Sequence, residues 1–361
     1  MIRRTLLSVC LLSLVACATP VSERVDADQV DAAVKQNLGA DFHGVVLVGA
    51  AGSSRPVVRA YGQANIGAQQ ATTVTTSYQI GSISKWLTAV AVLRLVDQRK
   101  LSLDAPVRTY LPQLPAHTGA ISLRQLLSNS AGIPNGVVEA SKKDNTILAL
   151  PLTHAEAVQR FATGKLLFEP GAGWEYSPTT WVVVAAIVER ATGQPYATAI
   201  DELVLKPANA TGTAVPLRRF DSMPGAALAY KNSAGTGPRE LNQPPHVSYV
   251  AASGTIYSHA ADLARLAHTI FDTELLSPRG RADLVRVMVP SQNYALGGRV
   301  KQLPLGGRER SVAWETGAIA GYKTLLAYVP GDGNTLVILN NTGIDQAVLD
   351  TAAQAMLKAL Y

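Results

Sequence analysis

The stretch "TTWVVVAAIVERATG" (residues 179–193) constrains the fold most. Its length and the terminal Gly193 read as a helix, yet it is apolar nearly all round. A helix with no polar face has to be enclosed on every side, so the chain must build layers around it. The flanking sequence supplies strands for one such layer. "HGVVLVG" (residues 43–49) and "PVVRAYGQA" (residues 56–64) read as a hairpin split by "AAGSSR". Near the other end, "KTLLAYVP", "GDGN" and "TLVILNN" read as strand, tight turn and strand, and "QAVLDTAAQAMLKALY" as a closing amphipathic helix. Strands at both ends with helices between predict an α+β fold. It would hold an antiparallel sheet flanked by helices, an adjoining all-helical lobe, and a cleft between them.

The chain begins "MIRRTLLSVCLLSLVACATP", two arginines before an apolar run of signal-peptide length. Leu14-Val15-Ala16-Cys17 resembles a bacterial lipobox, with Cys17 the lipidated first residue of the mature protein; an ordinary signal peptide cut near Ala18 is the alternative. The expected organisation is a signal peptide over 1–17, a tether over 18–30 and one folded domain over 31–361. No aspartate follows Cys17, so the expected address is the periplasmic side of a bacterial envelope, anchored to the outer membrane. Cys10 leaves with the leader and Cys17 is used by the lipid, so no disulfide is expected. The formal charge of +6 includes Arg3 and Arg4 of the leader, and no Lys/Arg block remains to form the basic stripe of a nucleic-acid-binding protein.

"QIGSISKWLTAVAVLRLVDQ" (residues 79–98) raises the chemical question. Trp86, Ala89, Val90, Leu93 and Val96 recur at helical spacing, which predicts a helix from Ser84 with one buried face. Ser82 and Lys85 then lie one turn apart at its head. A serine hydroxyl needs a base, and a lysine becomes one where burial or nearby positive potential lowers its pKa. The spacing alone is a weak signal, since a chain of this composition produces roughly one such pair by chance.

Other chemistry is poorly represented. No Gly-x-Ser-x-Gly elbow and no phosphate-binding Gly-x-x-x-x-Gly-Lys loop occurs. His43, His117, His154, His246, His259 and His268 show no metal-ligand spacing, so neither a metal nor another cofactor is expected. Asp104 and Asp262 read as turn and N-cap residues, and His259 as a surface or capping residue.

Further stretches decide the matter. "LSLDAPVRTYLPQLP", "ISLRQLLSNSAGIP", "EPGAGWEYSPTTWVVVAAIVERATGQPY", "SYVAASGTIYSHAADLARL" and "VAWETGAIAGYKTLLAYVP" follow Ser82 in order. Together they resemble the serine β-lactamase and DD-peptidase superfamily, in the branch with class C β-lactamases, D-alanyl-D-alanine carboxypeptidases and related esterases. The resemblance runs from about Phe42 to Asn341. It implies Ser82 as the acylated nucleophile, Lys85 as its base and Tyr176 as the proton relay to the leaving group. It also implies an oxyanion hole of the Ser82 and Ala318 N–H groups. Glu315, Thr316 and Gly317 of the strand lining the cleft, with Pro178 and Tyr322, are the implied substrate-binding residues. No cofactor is implied.

Two residues depart from the family pattern. Pro178 replaces an asparagine and has no side-chain amide to offer Lys85 or a substrate, although proline suits the first turn of a helix. Glu315 stands where a lysine or histidine is usual, and a carboxylate there is expected to repel anionic substrates. Both departures favour an esterase acting on neutral or amine-bearing acyl compounds over a β-lactamase or carboxypeptidase. The partner would be a small or cell-wall-derived acyl substrate. The alternative is a member poor in turnover that binds cell-wall fragments or β-lactam-like ligands.

Overall fold

Strand side chains alternate between two faces, so an internal sheet needs two covers. The computed structural model, which describes residues 26–49, 56–232 and 239–361, has both. The expected leader, Cys17, most of the expected tether and "AAGSSR" lie outside these residues. Helix α1 (Ala27–Leu38) opens the described chain with a capping box between Asp26 and Gln29. Its Val30 is already in the core, so the folded unit starts ahead of residue 31.

Strands β1 (Gly44–Gly49) and β2 (Val57–Tyr61) follow, then helix α2 (Ile83–Asp97), the short α3 (Leu123–Leu127) and α4 (Pro178–Thr192). Helix α5 (Ala260–Asp272) leads to strands β3 (Arg299–Leu305), β4 (Arg308–Ile319), β5 (Tyr322–Val329) and β6 (Asn334–Asn340), and α6 (Gln346–Lys358) closes the fold. Among the described residues these six strands form one antiparallel sheet in the order β2-β1-β6-β5-β4-β3. The first and last strands pair directly, Leu47 opposite Val337, which ties the two ends of the chain together.

One face of the sheet (Val46, Val48, Leu325, Leu336, Ile338) packs under α1 and α6, through Val30, Val34, Leu349 and Met356. The other face (Val45, Leu47, Leu326, Val337) joins a larger core with α2, α4 and α5. Helix α4 is buried from Thr179 to Val188, as its apolar circumference requires. A ring of the size of Trp181 removes about 200 Å² from water, worth ~5 kcal/mol. One hydrogen bond contributes ~1 kcal/mol, so the Trp181 Nε1–H bond to Asn129 at 3.1 Å orients the ring more than it holds it.

Helix α2 departs from its expected single buried face. Every residue from Ile83 to Leu93 is buried, because the helix runs between the sheet and α4 and is covered from both sides. His259 Nδ1 accepts from Asp262 N at 3.2 Å, so of the two capping candidates His259, and not Asp262, is the cap of α5. Asp262 lies inside that helix, where its buried carboxylate accepts from Gly212 N and Thr213 Oγ1.

Candidate active site

The chain enters α2 through a tight bend. Ile80 N donates to Ile256 O at 2.9 Å, and Thr324 Oγ1 of β5 donates to Ile80 O at 2.8 Å. Gly81 has φ +55°, and a Cβ there would lie 2.6 Å from Ala318 N. Only glycine lets Ser82 come this close to β4. Gly317 does the same from the other side, since its Cβ would stand 2.0 Å from Ile80 O. The Ser82 and Ala318 backbones are thereby brought together, and Ala318 is exposed.

Ser82 occupies the N-cap position of α2, yet its hydroxyl caps nothing. The hydroxyl is held by two side chains instead. Tyr176 donates to Ser82 Oγ at 2.5 Å, and Lys85 Nζ donates to it at 3.1 Å. Lys85 Nζ also donates to Ser253 O at 2.6 Å and stands 4.7 Å from the Tyr176 ring centroid. Ser82 is half-buried while Lys85 is only 1% exposed. Tyr176, 94 positions along the chain, thus joins the Ser82–Lys85 pair, with one reactive oxygen at the surface and its base beneath it.

Burial pushes the Lys85 ammonium down to about 7; the Glu315 carboxylate opposes this and Arg299 adds to it. Burial, aided by the Glu315 charge, pushes the Tyr176 phenol well above its ordinary value. Near neutral pH, Lys85 can therefore accept a proton and Tyr176 can donate one. Pro178 opens α4 at its first position and is half-buried, two residues beyond Tyr176.

Glu315 is fully buried. Burial raises its carboxyl to about 7, against the pull of Arg299 and Lys85. Arg299 Nη1 donates to its Oε2 at 3.4 Å, while its Oε1 has no hydrogen-bond partner among the described residues. The negative charge that the sequence places toward the cleft is therefore hidden and matched by a cation. Thr316 is partly exposed and Gly317 buried. Pairing of β3 with β4 stops at Trp314, so residues 315–319 have, among the described residues, a strand neighbour, β5, on one side only. Tyr322, expected to touch substrate, is fully buried; its hydroxyl donates to Ala227 O at 2.6 Å, and its ring packs on Tyr78 and Phe220. It is a wall of the core behind the site.

The sequence reading missed Arg299, Tyr294 and the Ser253 carbonyl. Arg299 stacks over Tyr294 at 5.4 Å, and the Tyr294 ring meets Tyr176 edge-on at 6.3 Å. No cluster of three His, Cys, Asp or Glu side chains able to hold a metal ion occurs among the described residues.

Comparison with known proteins shows the family and the fold. A family model described as Beta-lactamase matches residues 30–361. Penicillin-binding protein 4* of Bacillus subtilis (strain 168) is 25% identical over 344 residues, covering 89% of this chain and 73% of that protein. Esterase EstB of Burkholderia gladioli is 34% identical over 161 residues, 41% of each chain. Among solved structures, EstCE1, described as a hydrolase with promiscuous acyltransferase activity, superposes with a TM-score of 0.75. It is 21% identical, over 92% of this chain and 98% of the other.

Proposed function

The chain belongs to the beta-lactamase family of serine hydrolases, and on that footing we propose that it cleaves esters through an acyl-enzyme on Ser82. The observation that carries this reading is the convergence of Lys85 and Tyr176 on the single half-exposed oxygen of Ser82. Neutral Lys85 takes the Ser82 proton as Oγ bonds to the acyl carbon. The N–H groups of Ser82 and Ala318 face the oxygen that gains charge. The bond to the leaving oxygen then breaks, Tyr176 protonates that oxygen, and the proton held by Lys85 restores the phenol. Water repeats the cycle on the acyl-enzyme and frees the acid.

The preference for esters rests on Pro178. An amide substrate presents an N–H and a carbonyl that a side-chain amide would recognise, and proline offers neither partner. An ester has no N–H to leave unpaired. The likeness to a relative named as an esterase, EstB, over 161 residues supports this reading. The arginines and Cys17 of the leader support placing the enzyme on the periplasmic side of an envelope membrane, held by a lipid.

The test is hydrolysis of p-nitrophenyl butyrate and the matching p-nitroanilide by protein lacking residues 1–17, beside Ser82→Ala. Ester turnover that disappears in Ser82→Ala, with little anilide turnover, is the expected result. Pro178→Asn is expected to shift the ratio toward the anilide. Ester turnover that persists in Ser82→Ala would overturn the assignment.

A further inference from the structure

Glu315 is a fully buried charged group at the site that the acylation steps above do not use. Its partner across β5 is the buried Leu326, so an apolar side chain would suit this position without taking a charge out of water. One of its oxygens, Oε1, has no hydrogen-bond partner among the described residues. A carboxylate left half-satisfied in the interior costs stability, and a fold that keeps one has a use for its charge.

The groups around Glu315 close a ring with the base of the nucleophile. Arg299 Nη1 reaches Glu315 Oε2 at 3.4 Å, and its guanidinium stacks over Tyr294 at 5.4 Å. Tyr294 meets Tyr176 edge-on at 6.3 Å, and Lys85 Nζ stands 4.7 Å from the Tyr176 ring centroid. The two glycines ahead of β3 touch both Lys85 and Glu315: a Cβ on Gly297 would lie 2.6 Å from Lys85 O, and one on Gly298 3.5 Å from Glu315 Oε2. Lys301, the next cation of β3, lies over Trp314 at 3.8 Å and beside Asp350 of α6, on the far face of the sheet.

While Lys85 is neutral, this ring holds one cation and one anion. Once Lys85 takes the Ser82 proton it holds two cations and one anion. Little water screens these charges, so the carboxylate attracts the new ammonium and the guanidinium repels it. Burial is the main force on Lys85; Glu315 acts against it and Arg299 with it. Tyr176 and Tyr294 are held protonated by burial, so neither phenol supplies the opposing charge.

We propose that Glu315 is the counter-charge of the ammonium that forms on Lys85 during acylation, opposed by Arg299, and that the two together set how strong a base Lys85 is. The step balances within the site. The Ser82 O–H bond breaks, its proton goes to Lys85 Nζ, and its electron pair forms the bond to the acyl carbon. Glu315, ionised above about 7, keeps its charge throughout. The proposal rests on the acyl-enzyme reading above. It makes Glu315 a positioning residue that acts through Lys85, in place of the repulsion of substrate expected from the sequence.

The test follows pre-steady-state release from p-nitrophenyl butyrate across pH, beside a carbon-13 titration of protein labelled at lysine Cε. The Lys85 signal is identified by its loss in Lys85→Arg. Glu315→Gln is expected to move both midpoints to lower pH and to lower the plateau rate about three- to ten-fold, since a weaker base is a slower one. Glu315→Asp, which keeps the charge, is expected to return the midpoint toward the wild-type value. Arg299→Gln is expected to move it to higher pH. Lost packing alone would slow both Gln variants and leave the midpoint in place. A midpoint that either Gln variant leaves unmoved, or that both move in the same direction, would overturn the proposal. Where Glu315→Gln does not fold, the shift in Arg299→Gln decides by the same rule. If wild-type protein releases no p-nitrophenol, the acyl-enzyme reading is what fails, and the lysine titration still decides on Glu315 and Arg299.

Discussion

The carbonyl oxygen of Ser253 lies 2.6 Å from Lys85 Nζ, so a backbone acceptor holds one hydrogen of the buried amine. This leaves the opposite side of the nitrogen toward Ser82 Oγ at 3.1 Å. A base so placed works only when neutral. With Lys85 held near 7 by burial, the acylation rate is expected to rise with pH through about 7 and level off above it. Pre-steady-state release of p-nitrophenol between pH 5.5 and 9 measures the midpoint. Lys85→Arg, which keeps a charge and loses the base, is expected to cost about 10²–10⁴-fold in that rate.

Glu315 opposes the lowering of Lys85, so its charge favours the protonated amine. Glu315→Gln removes that charge, and the midpoint of the pH–rate curve is expected to move to lower pH. Stability gives an independent reading. A carboxyl raised from 4.5 to about 7 in the folded state contributes stability that is complete below pH 4.5 and lost as pH rises through 7. Glutamine does not titrate. The thermal midpoint of Glu315→Gln relative to the wild type should therefore climb between pH 5 and 8, and a flat difference would contradict the burial-raised carboxyl.

Tyr176 donates to Ser82 and stays protonated in this environment. Its contribution should depend on the leaving group. A p-nitrophenolate departs without a proton, whereas an alkoxide needs one. Tyr176→Phe is expected to slow an alkyl ester by about 10²–10⁴-fold and the p-nitrophenyl ester by clearly less. Equal losses on both would assign Tyr176 to holding Ser82 in place.

Gly317 leaves no room for a methyl group, with Ile80 O 2.0 Å from where its Cβ would stand. Gly317→Ala has to push the Ile80–Ser82 bend away from β4. The expected cost is ~1–3 kcal/mol of stability, with a lower thermal midpoint. Activity should fall further than the folded fraction, because the two backbones of the oxyanion hole separate. Calorimetry and the ester assay on one preparation distinguish the two effects.

Periodicity was enough to read the helix–sheet order of this fold, because apolar spacing in α4, β5, β6 and α6 reports burial directly. The full enclosure of α2 was not legible in the same way: its polar residues Ser84, Lys85 and Thr88 suggest a wet face, but they are buried and satisfied by tertiary partners. Strand β3 escaped notice although "GG" at 306–307, both with positive φ, is a hairpin signal flanked by alternating residues. With β3 unread, Arg299 had no place beside Glu315, and the glutamate was read as an unpartnered charge. Tyr322 shows the converse: its position in a motif pointed to the cleft, while its burial is a property of packing that no local pattern carries.

The enclosure of α2 has a consequence for how the protein fails. The serine and lysine ride on a helix that no local fraying can release, since its neighbours are the sheet on one side and α4 on the other. Amide hydrogens of this helix should exchange with solvent only through global opening. Heat inactivation and loss of folded structure should then follow one curve, with no folded but inactive species between them.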